Sequence, residues 1–159
     1  MQQSLITPAD FPELRAAWQR QNLKVVLTNG CFDLLHTGHL RTFTEAKKLG
    51  DILVVGLNSD SSVRALKGPT RPLIGETERA ALVAALKPVD YVTIFDDLKA
   101  SDLLLALRPH IYVKGGDYSL DNLPERDAIR QVGAQAVFVP LVEGISTSEL
   151  VQKIRGANM

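Results

Sequence analysis

Short runs of β-branched and other apolar residues alternate along this chain with longer amphipathic stretches, and no other feature limits the fold as strongly. The runs predict five strands, at 24–28, 52–57, 91–95, 111–113 and 136–139. The stretches that follow them predict helices, at 40–49, 77–86, 101–107, 124–132 and 146–154. Strands that alternate with helices pair in parallel and bury both faces of their sheet. We therefore expect a doubly wound α/β fold with a five-stranded parallel sheet.

A further helix is expected ahead of the first strand. Thr7 suits its N-cap and Pro8 its first helical position. Phe11, Leu14 and Trp18 then share one face, so this helix should dock on the sheet. The prediction is thus a Rossmann-like sheet with an extra N-terminal helix.

The length and the charge of the chain narrow its class. A chain of 159 residues without repeats or low-complexity tracts suits one domain over 1–159, with the N-terminal helix in 1–22 and the functional core in 24–155. The 18 basic and 18 acidic residues cancel. This balance argues against a nucleic-acid partner, because binding to nucleic acid needs a surplus of Lys and Arg.

The sequence says less about the cellular compartment and the oligomeric state of the protein than about its fold. No signal-peptide pattern opens the chain and no apolar run is long enough to cross a bilayer, so we expect a cytoplasmic protein without a membrane partner. Cys31 is the single cysteine, which excludes an intramolecular disulfide and a multi-thiolate zinc site. The oligomeric state stays open, and the N-terminal helix offers a surface for a homo-oligomer.

The loop after the first strand carries the strongest chemical signal. His36 and His39 lie three residues apart where a strand turns into a helix, and the free N–H groups of a helix N-terminus favour phosphate. Gly38 permits close approach of the backbone, and Gly30 and Phe32 can present main-chain amides. We therefore expect a phosphate site here.

Two other interpretations of the histidines remain open. They can be capping or packing residues, as single histidines commonly are. They can also share a zinc ion, since side chains at i and i+3 reach one metal, with Asp33 or Cys31 as the third ligand. Cys31 itself is expected to be a small packed residue beside the phosphate site.

Residues 66–73 (LKGPTRPL) look like a mobile loop with two cations. Lys67 and Arg71 can neutralise phosphate charge, and Arg71 can do so with two parallel hydrogen bonds. The alternative is a solvated Pro/Gly loop with incidental charges. Arg79, on the next helix, is a weaker candidate because an exposed helical arginine needs no special role.

Three later segments also follow strands or open helices. Residues 113–118 (VKGGDY) bring a lysine and an aspartate to a glycine-rich turn, which can bind a ligand or be merely solvated. Residues 144–149 (GISTSE) can form a capping box between Ser146 and Glu149, and also a second anion site. Residues 58–60 are either near the active-site cleft or a turn at the end of a strand.

The segments NGCFDLLHTGHL, LKGPTRPL, VKGGDY and EGISTSEL together resemble the HxGH nucleotidyltransferase superfamily over residues 24–155. Within it, their order and spacing are similar to those of the adenylyltransferase half of the bacterial heptose-phosphate enzymes, in a stand-alone form without the sugar kinase half. The resemblance implies transfer of AMP from ATP to D-glycero-β-D-manno-heptose 1-phosphate, with ADP-heptose made for the lipopolysaccharide core.

The resemblance also implies the roles of individual residues, with Mg²⁺ entering together with ATP and no metal bound by protein side chains alone. Catalysis falls to His36, His39, Lys67 and Arg71. Nucleotide binding falls to Asn29, Gly30, Cys31, Phe32, Gly38, His39, Lys114, Gly144, Ser146, Thr147 and Ser148. Binding of the heptose 1-phosphate falls to Asp33, Asn58, Asp60, Lys67, Arg71, Gly116 and Asp117.

Rival functions differ in recognisable ways. Glycerol-3-phosphate cytidylyltransferases share the HxGH turn, but usually carry an Arg before the last motif, where this chain has Leu141 and Val142, and lack KGGD. A non-catalytic nucleotide-binding module would bind ATP without releasing pyrophosphate. A dinucleotide-dependent oxidoreductase is disfavoured because the first loop lacks GxGxxG.

Overall fold

The computed structural model describes residues 4–157, which contain one sheet of five parallel strands. The strands are β1 (Val25–Gly30), β2 (Ile52–Asn58), β3 (Tyr91–Phe95), β4 (Ile111–Gly115) and β5 (Gln135–Val139). Their order across the sheet is β3-β2-β1-β4-β5, and every pairing is parallel. The predicted five-stranded, doubly wound α/β fold is confirmed.

Seven helices lie in the described part of the chain. They are α1 (Phe11–Arg20), α2 (Thr37–Lys48), α3 (Asp60–Lys67), α4 (Glu76–Ala84), α5 (Ser101–Leu107), α6 (Arg126–Val132) and α7 (Thr147–Gly156). Two short 3-10 turns, Pro8–Asp10 and Leu120–Asn122, precede α1 and α6. No helix among residues 4–157 combines the length and the hydropathy needed to cross a membrane.

Helices cover both faces of the sheet because successive strand residues point to opposite sides. In β1, Val25 and Leu27 pack towards α1, α5 and α6, which we call the α5 side. Val26 packs towards α2 and α4, which we call the α2 side. Each side has its own apolar core, so neither face of the sheet is left to solvent.

The N-terminal helix docks on the α5 side, as its apolar stripe predicts. Phe11 and Trp18 are buried, and Leu14 is partly buried against the same core. Thr7 and Asp10 fix the preceding 3-10 turn, where the Thr7 main-chain N–H donates to Asp10 Oδ2 at 2.7 Å. The helix is therefore part of the packed structure.

Helix α3 was not predicted from the sequence. Helix α3 begins directly after β2, and its N-cap Ser59 accepts a hydrogen bond from the Ser62 main-chain N–H at 3.2 Å. The interpretation of 66–73 as a loop is therefore wrong for Leu66 and Lys67, which form the last turn of α3. Lys67 is consequently presented from a helix end, directly ahead of Gly68.

The chain reverses its direction of winding between β1 and β4. From β1 it proceeds through β2 to β3, and it then crosses over to β4 and β5 on the other side of β1. Ligands of such sheets bind at this switch point, beyond the carboxyl ends of the strands. The loops that follow β1, β2 and β4 meet at this edge.

Candidate functional site

A cavity of about 1010 Å³ lies at this edge of the sheet. It collects residues from the loops after β1, β2 and β4 and from the N-termini of α2 and α7. Its walls include sixteen of the predicted site residues: Asn29, Gly30, Cys31, Phe32, Asp33, His36, Gly38, His39, Asn58, Lys67, Lys114, Asp117, Gly144, Ser146, Thr147 and Ser148. Motifs far apart in the sequence thus line one cavity.

His36 is the N-cap of α2, and it uses its side chain to close the first turn. The His36 Nδ1 atom accepts a hydrogen bond from the Gly38 main-chain N–H at 3.1 Å. His39 Nδ1 accepts from the His36 main-chain N–H at 3.4 Å. Both imidazoles are therefore oriented by the backbone of the turn that carries them.

This arrangement fixes which ring nitrogen of each histidine can donate. Because Nδ1 of His36 and of His39 accepts a hydrogen bond, a neutral ring carries its proton on Nε2. Both residues line the cavity. Each can thus donate one hydrogen bond from Nε2 to an oxygen of a bound phosphate.

The two imidazoles are stacked, with ring centroids 3.7 Å apart and planes inclined by 22°. Phe32 meets the His39 ring edge-on at 5.2 Å. Burial, followed by the proximity of His36 and Lys67, lowers the pKa of His39 to about 4, and burial also lowers the pKa of His36. His39 is therefore neutral at physiological pH and acts as a hydrogen-bond donor without a charge of its own.

Gly38 leaves room for this pair of rings. A Cβ atom at position 38 would lie 2.9 Å from both Cε1 and Nδ1 of His36. It would also lie 4.0 Å from the main-chain oxygen of Ile145, just ahead of α7. The N-termini of α2 and α7 therefore face the same small space.

The N-terminus of α7 is fixed by Ser146 and Thr147. Ser146 Oγ accepts from the Glu149 main-chain N–H at 3.1 Å, which is one half of the predicted capping box. Thr147 Oγ1 donates to the main-chain oxygen of Leu34 at 3.4 Å and so joins α7 to the loop after β1. The N-termini of α2 and α7, which are the positive ends of their helix dipoles, then converge on one part of the cavity.

Three lysines, Lys67, Lys99 and Lys114, bring positive charge to the cavity. Lys67 reaches it from the end of α3 and Lys114 from the end of β4. The Lys114 Nζ atom lies 5.3 Å from the centroid of the Tyr118 ring, which steadies the side chain by a cation–π contact. Asp117, which is exposed, follows on the same turn.

Three predicted site residues do not line the cavity: Asp60, Arg71 and Gly116. Arg71 forms an ion pair with Asp33, with 3.3 Å between Nη1 and Oδ2. The Asp33 carboxylate is almost fully buried and also accepts from the main-chain N–H groups of Leu73 and Ile74 at 2.8–3.0 Å. Arg71 and Asp33 thus hold segment 68–75 against the loop after β1. Their contact with substrate stays a prediction.

Asn58 is placed differently from the expectation for a substrate ligand. Its side chain is buried and donates to Ser62 Oγ at 2.7 Å and to the main-chain oxygen of Asp97 at 3.3 Å. It therefore connects the start of α3 to the loop after β3. This agrees with the alternative interpretation of residues 58–60 as structure at a strand end.

The prediction that Arg79 is an exposed helical arginine is wrong. Its side chain is only 1% exposed. The guanidinium donates to the main-chain oxygens of Ile74, Cys31 and Asn58 at 2.6–2.8 Å. It also pairs with the carboxylate of Asp60 at 2.7 Å. Arg79 thus joins the loops after β1 and β2, the start of α3 and segment 68–75.

Several cavity residues carry no motif and were missed for that reason. They are Thr42, Leu98, Lys99, Pro124 and Glu125. Glu125 is buried, and its Oε1 atom accepts from the Ala100 main-chain N–H at 3.2 Å, which joins the loops before α5 and α6. Such residues reach the site only through the packing of distant loops.

The zinc interpretation of the histidines does not fit this geometry. Asp33, one of the two residues expected as the third ligand, is turned towards segment 68–75, as described above. Cys31 is held beside the site because its main-chain oxygen accepts a hydrogen bond from Arg79. Burial raises the pKa of its thiol. Among residues 4–157, no three His, Cys, Asp or Glu side chains are grouped to hold a metal ion.

Comparison with known proteins identifies relatives over most of the chain. The family model for cytidylyltransferase-like proteins matches residues 27–153. The bifunctional protein HldE of Koribacter versatilis is 45% identical over 152 residues, which are 96% of this chain and 31% of that protein. HldE of Citrifermentans bemidjiense is 52% identical over 131 residues, or 82% of this chain and 27% of that protein. The chain spans less than a third of the length of these curated relatives.

Solved structures also include a relative. The lipopolysaccharide core biosynthesis protein of Thermoplasma volcanium superposes with a TM-score of 0.63 at 32% identity. The match covers 76% of this chain and 97% of that one. The two proteins therefore share their fold over nearly the whole of the smaller chain.

Proposed function

Because this chain belongs to the cytidylyltransferase-like family of nucleotidyltransferases, we propose that it transfers AMP from ATP to D-glycero-β-D-manno-heptose 1-phosphate. The products are ADP-heptose, for assembly of the lipopolysaccharide core, and pyrophosphate. The observation that carries the proposal is the convergence of two histidine donors, two helix N-termini and three lysines on one cavity. The four motif segments support heptose 1-phosphate as acceptor, as does the likeness to a lipopolysaccharide core biosynthesis protein of T. volcanium.

The reaction is a single in-line displacement. An oxygen of the sugar 1-phosphate attacks the α-phosphorus of ATP, one P–O bond forms, and the bond from the α-phosphorus to the bridging oxygen breaks as pyrophosphate leaves. The attacking oxygen is already ionised at pH 7, so no general base is needed. Catalysis then consists of positioning and of stabilising charge around the reacting phosphorus.

The histidines and the two helix N-termini serve the triphosphate. His36 and His39 donate from Nε2 to oxygens of the α- and β-phosphates, as the orientation of their Nδ1 atoms requires. Main-chain N–H groups and hydroxyls at Ser146–Ser148 hold the outer phosphates. Lys67 and Lys114 offset the repulsion between the triphosphate and the incoming sugar phosphate.

Mg²⁺ is proposed to enter with ATP. Since no cluster of three ligand side chains lies among residues 4–157, phosphate oxygens would supply most of its ligands. Asp117 is the residue of the KGGD turn suited to add a carboxylate. When bound, the ion neutralises charge on the leaving pyrophosphate.

The deciding experiment measures pyrophosphate release for ATP and CTP, each combined with heptose 1-phosphate, other sugar 1-phosphates and glycerol 3-phosphate. We expect release with ATP and heptose 1-phosphate. Release only with CTP and glycerol 3-phosphate would establish the rival cytidylyltransferase, and ATP binding without any release would establish a non-catalytic module. The His39→Ala protein, purified in the same way, controls for contaminating activity.

The displacement itself has a stereochemical test. ATP with a chiral α-thiophosphate should give a product with inverted configuration at phosphorus. Retention would reveal a covalent intermediate and overturn the single displacement, while leaving the assignment of substrates in place.

A further inference from the structure

Asn29 lies on the α5 side of the sheet, whereas the His36, Gly38 and His39 candidates belong to α2 on the other side. It has the same strand parity as Val25 and Leu27, which pack on the α5 side. A Cβ atom on the neighbouring Gly56 would lie 3.2 Å from Asn29 Cβ and 2.5 Å from Leu103 of α5. The histidines, in contrast, belong to α2, whose core residues pack on the α2 side.

A fully buried tyrosine fixes the orientation of the Asn29 side chain. Tyr112 of β4 is paired with Leu27 of β1, and its hydroxyl donates to Asn29 Oδ1. Burial, and then Glu125, raise the pKa of Tyr112 well above its ordinary value, so the phenol keeps its proton and remains a donor. With Oδ1 occupied in this way, the amide group turns its Nδ2 hydrogens away from Tyr112.

The cavity is the place where those hydrogens can be used. Asn29 is half-buried and lines the cavity, and no acceptor among residues 4–157 takes a hydrogen bond from its Nδ2. A primary amide with one end anchored and the other unpaired is a directional donor. It suits an oxygen of a bound ligand.

We propose that Tyr112 is a positioning residue that holds Asn29 so that Nδ2 donates to the phosphate-bearing acceptor sugar. The inference rests on the proposed function. In-line displacement requires the nucleophile to approach opposite the leaving pyrophosphate. The triphosphate is assigned to the α2 side, between His36, His39 and the N-terminus of α7. A donor on the α5 side therefore meets the attacking substrate, not the leaving group.

The first test is a double-mutant cycle on the steady-state constants. Tyr112→Phe should raise KM for the sugar phosphate about tenfold, the equivalent of one hydrogen bond to a charged group, with KM for ATP changed less than about twofold. In an Asn29→Ala background the same substitution should have no further effect on that KM. Multiplicative effects of the two substitutions, or a rise confined to KM for ATP, overturn the proposal.

The second test distinguishes the two ends of the amide. Asn29→Asp keeps the hydrogen bond from Tyr112 but replaces the Nδ2 donor by a carboxylate oxygen. Facing a phosphate, that oxygen repels it, so the loss of kcat/KM for the sugar phosphate should exceed the loss in Asn29→Ala. A smaller loss in Asn29→Asp means that an acceptor faces the cavity, and it refutes the proposal even where Tyr112→Phe does not fold.

Tyr91→Phe is the matched control. Tyr91 belongs to β3 and packs on the α5 side against Trp18, so it loses a phenol hydroxyl from the same core without a link to Asn29. Its KM values should equal those of the wild type. Absence of turnover by the wild type with any sugar phosphate overturns the proposed function and this inference together. Wild-type turnover with independent effects at positions 29 and 112 overturns this inference alone.

Discussion

The buried guanidinium of Arg79 donates a hydrogen bond of 2.6 Å to the main-chain oxygen of Cys31. Helix α4 is thereby tied to the loop that leads from β1 to the histidines. The same group bonds the main-chain oxygen of Asn58, at the end of β2, at 2.8 Å. One side chain thus sets the spacing of the two strand ends that flank the cavity, without itself touching it.

Arg79→Lys should destabilise the protein and misplace the loop after β1. Lysine keeps the charge, but a single ammonium cannot reach acceptors that Arg79 contacts through three nitrogen atoms. We expect the free energy of unfolding to fall by about 2–3 kcal/mol, measured by urea denaturation, with kcat reduced as well. Arg64→Lys, on the exposed surface of α3, is the control and should change stability by less than about 0.5 kcal/mol. Equal losses in the two variants would contradict this role.

His39→Ala should lower kcat by about 10²-fold, because the variant lacks a donor that stabilises charge in the transition state. The neighbouring Leu40 is 42% exposed in the same helical turn, so Leu40→Ala controls for disturbance of the helix and should keep its kcat. Steady-state pyrophosphate release measures both. A near-normal rate in His39→Ala rejects the donor role.

The lowered pKa of His39 makes stability depend on pH. In the unfolded chain this histidine takes up a proton near its ordinary pKa of 6.5, whereas in the folded protein it does so only near 4. Between these values the unfolded state binds more protons, so stability falls as the pH falls. From about pH 7 to about pH 4.5, wild type should lose on the order of 2 kcal/mol more than His39→Gln in urea denaturation. Parallel losses would mean that His39 titrates normally.

Gly38→Ala should impair catalysis more than stability. The new Cβ would lie 2.9 Å from the His36 ring and must displace it. We expect kcat to fall about tenfold because the misplaced donor no longer meets the phosphate oxygen. Gly156→Ala, where a Cβ meets nothing within 4 Å, is the matched control. An unchanged kcat in Gly38→Ala would show that the position of the His36 ring is unimportant.

Asp33→Asn should loosen segment 68–75. An amide group offers one acceptor oxygen where the carboxylate of Asp33 binds Leu73 N–H, Ile74 N–H and Arg71 together. We expect the main-chain amides of Leu73 and Ile74 to exchange with deuterium at least about tenfold faster, as read by hydrogen exchange. Asp10→Asn, at the N-terminal 3-10 turn, should leave both rates unchanged. Unaltered exchange in Asp33→Asn would mean that other contacts hold the segment.

The sequence predicted the sheet because strands show themselves in local patterns. The proposed phosphate site also rests on a local pattern, and its role stays a prediction. Apolar runs identify strands whatever their neighbours are. In a His-Thr-Gly-His turn after a strand, the hydrogen bonds that orient the two imidazoles lie within the turn itself. Helix α3 was missed because residues 60–67 contain three residues with modest helix propensity, Asp60, Ser61 and Ser62, and too few apolar positions to show a repeat. Its Ser59 N-cap was the available signal.

Arg79 shows a second limit of prediction from sequence. It lies four residues before Val83 and next to Ala80, all buried, so it sits within the apolar stripe of α4. An arginine in such a stripe is a signal that it is buried and paired, which hydropathy alone does not convey. Its partners are mainly carbonyl oxygens of distant loops, and no residue type in the sequence marks those. Tyr112 and Asn29 are hidden for the same reason, since their contact joins two strands far apart in the chain.

Trp18, the sole tryptophan of the chain, is buried on α1 with its ring 5.4 Å from that of Tyr91. It does not belong to the cavity walls. Its fluorescence therefore reports whether α1 is docked and the sheet is folded, and should be indifferent to nucleotide. Trp18 is thus an intrinsic fluorescence probe of folding. It distinguishes a variant that has lost only its activity from one that has lost its structure.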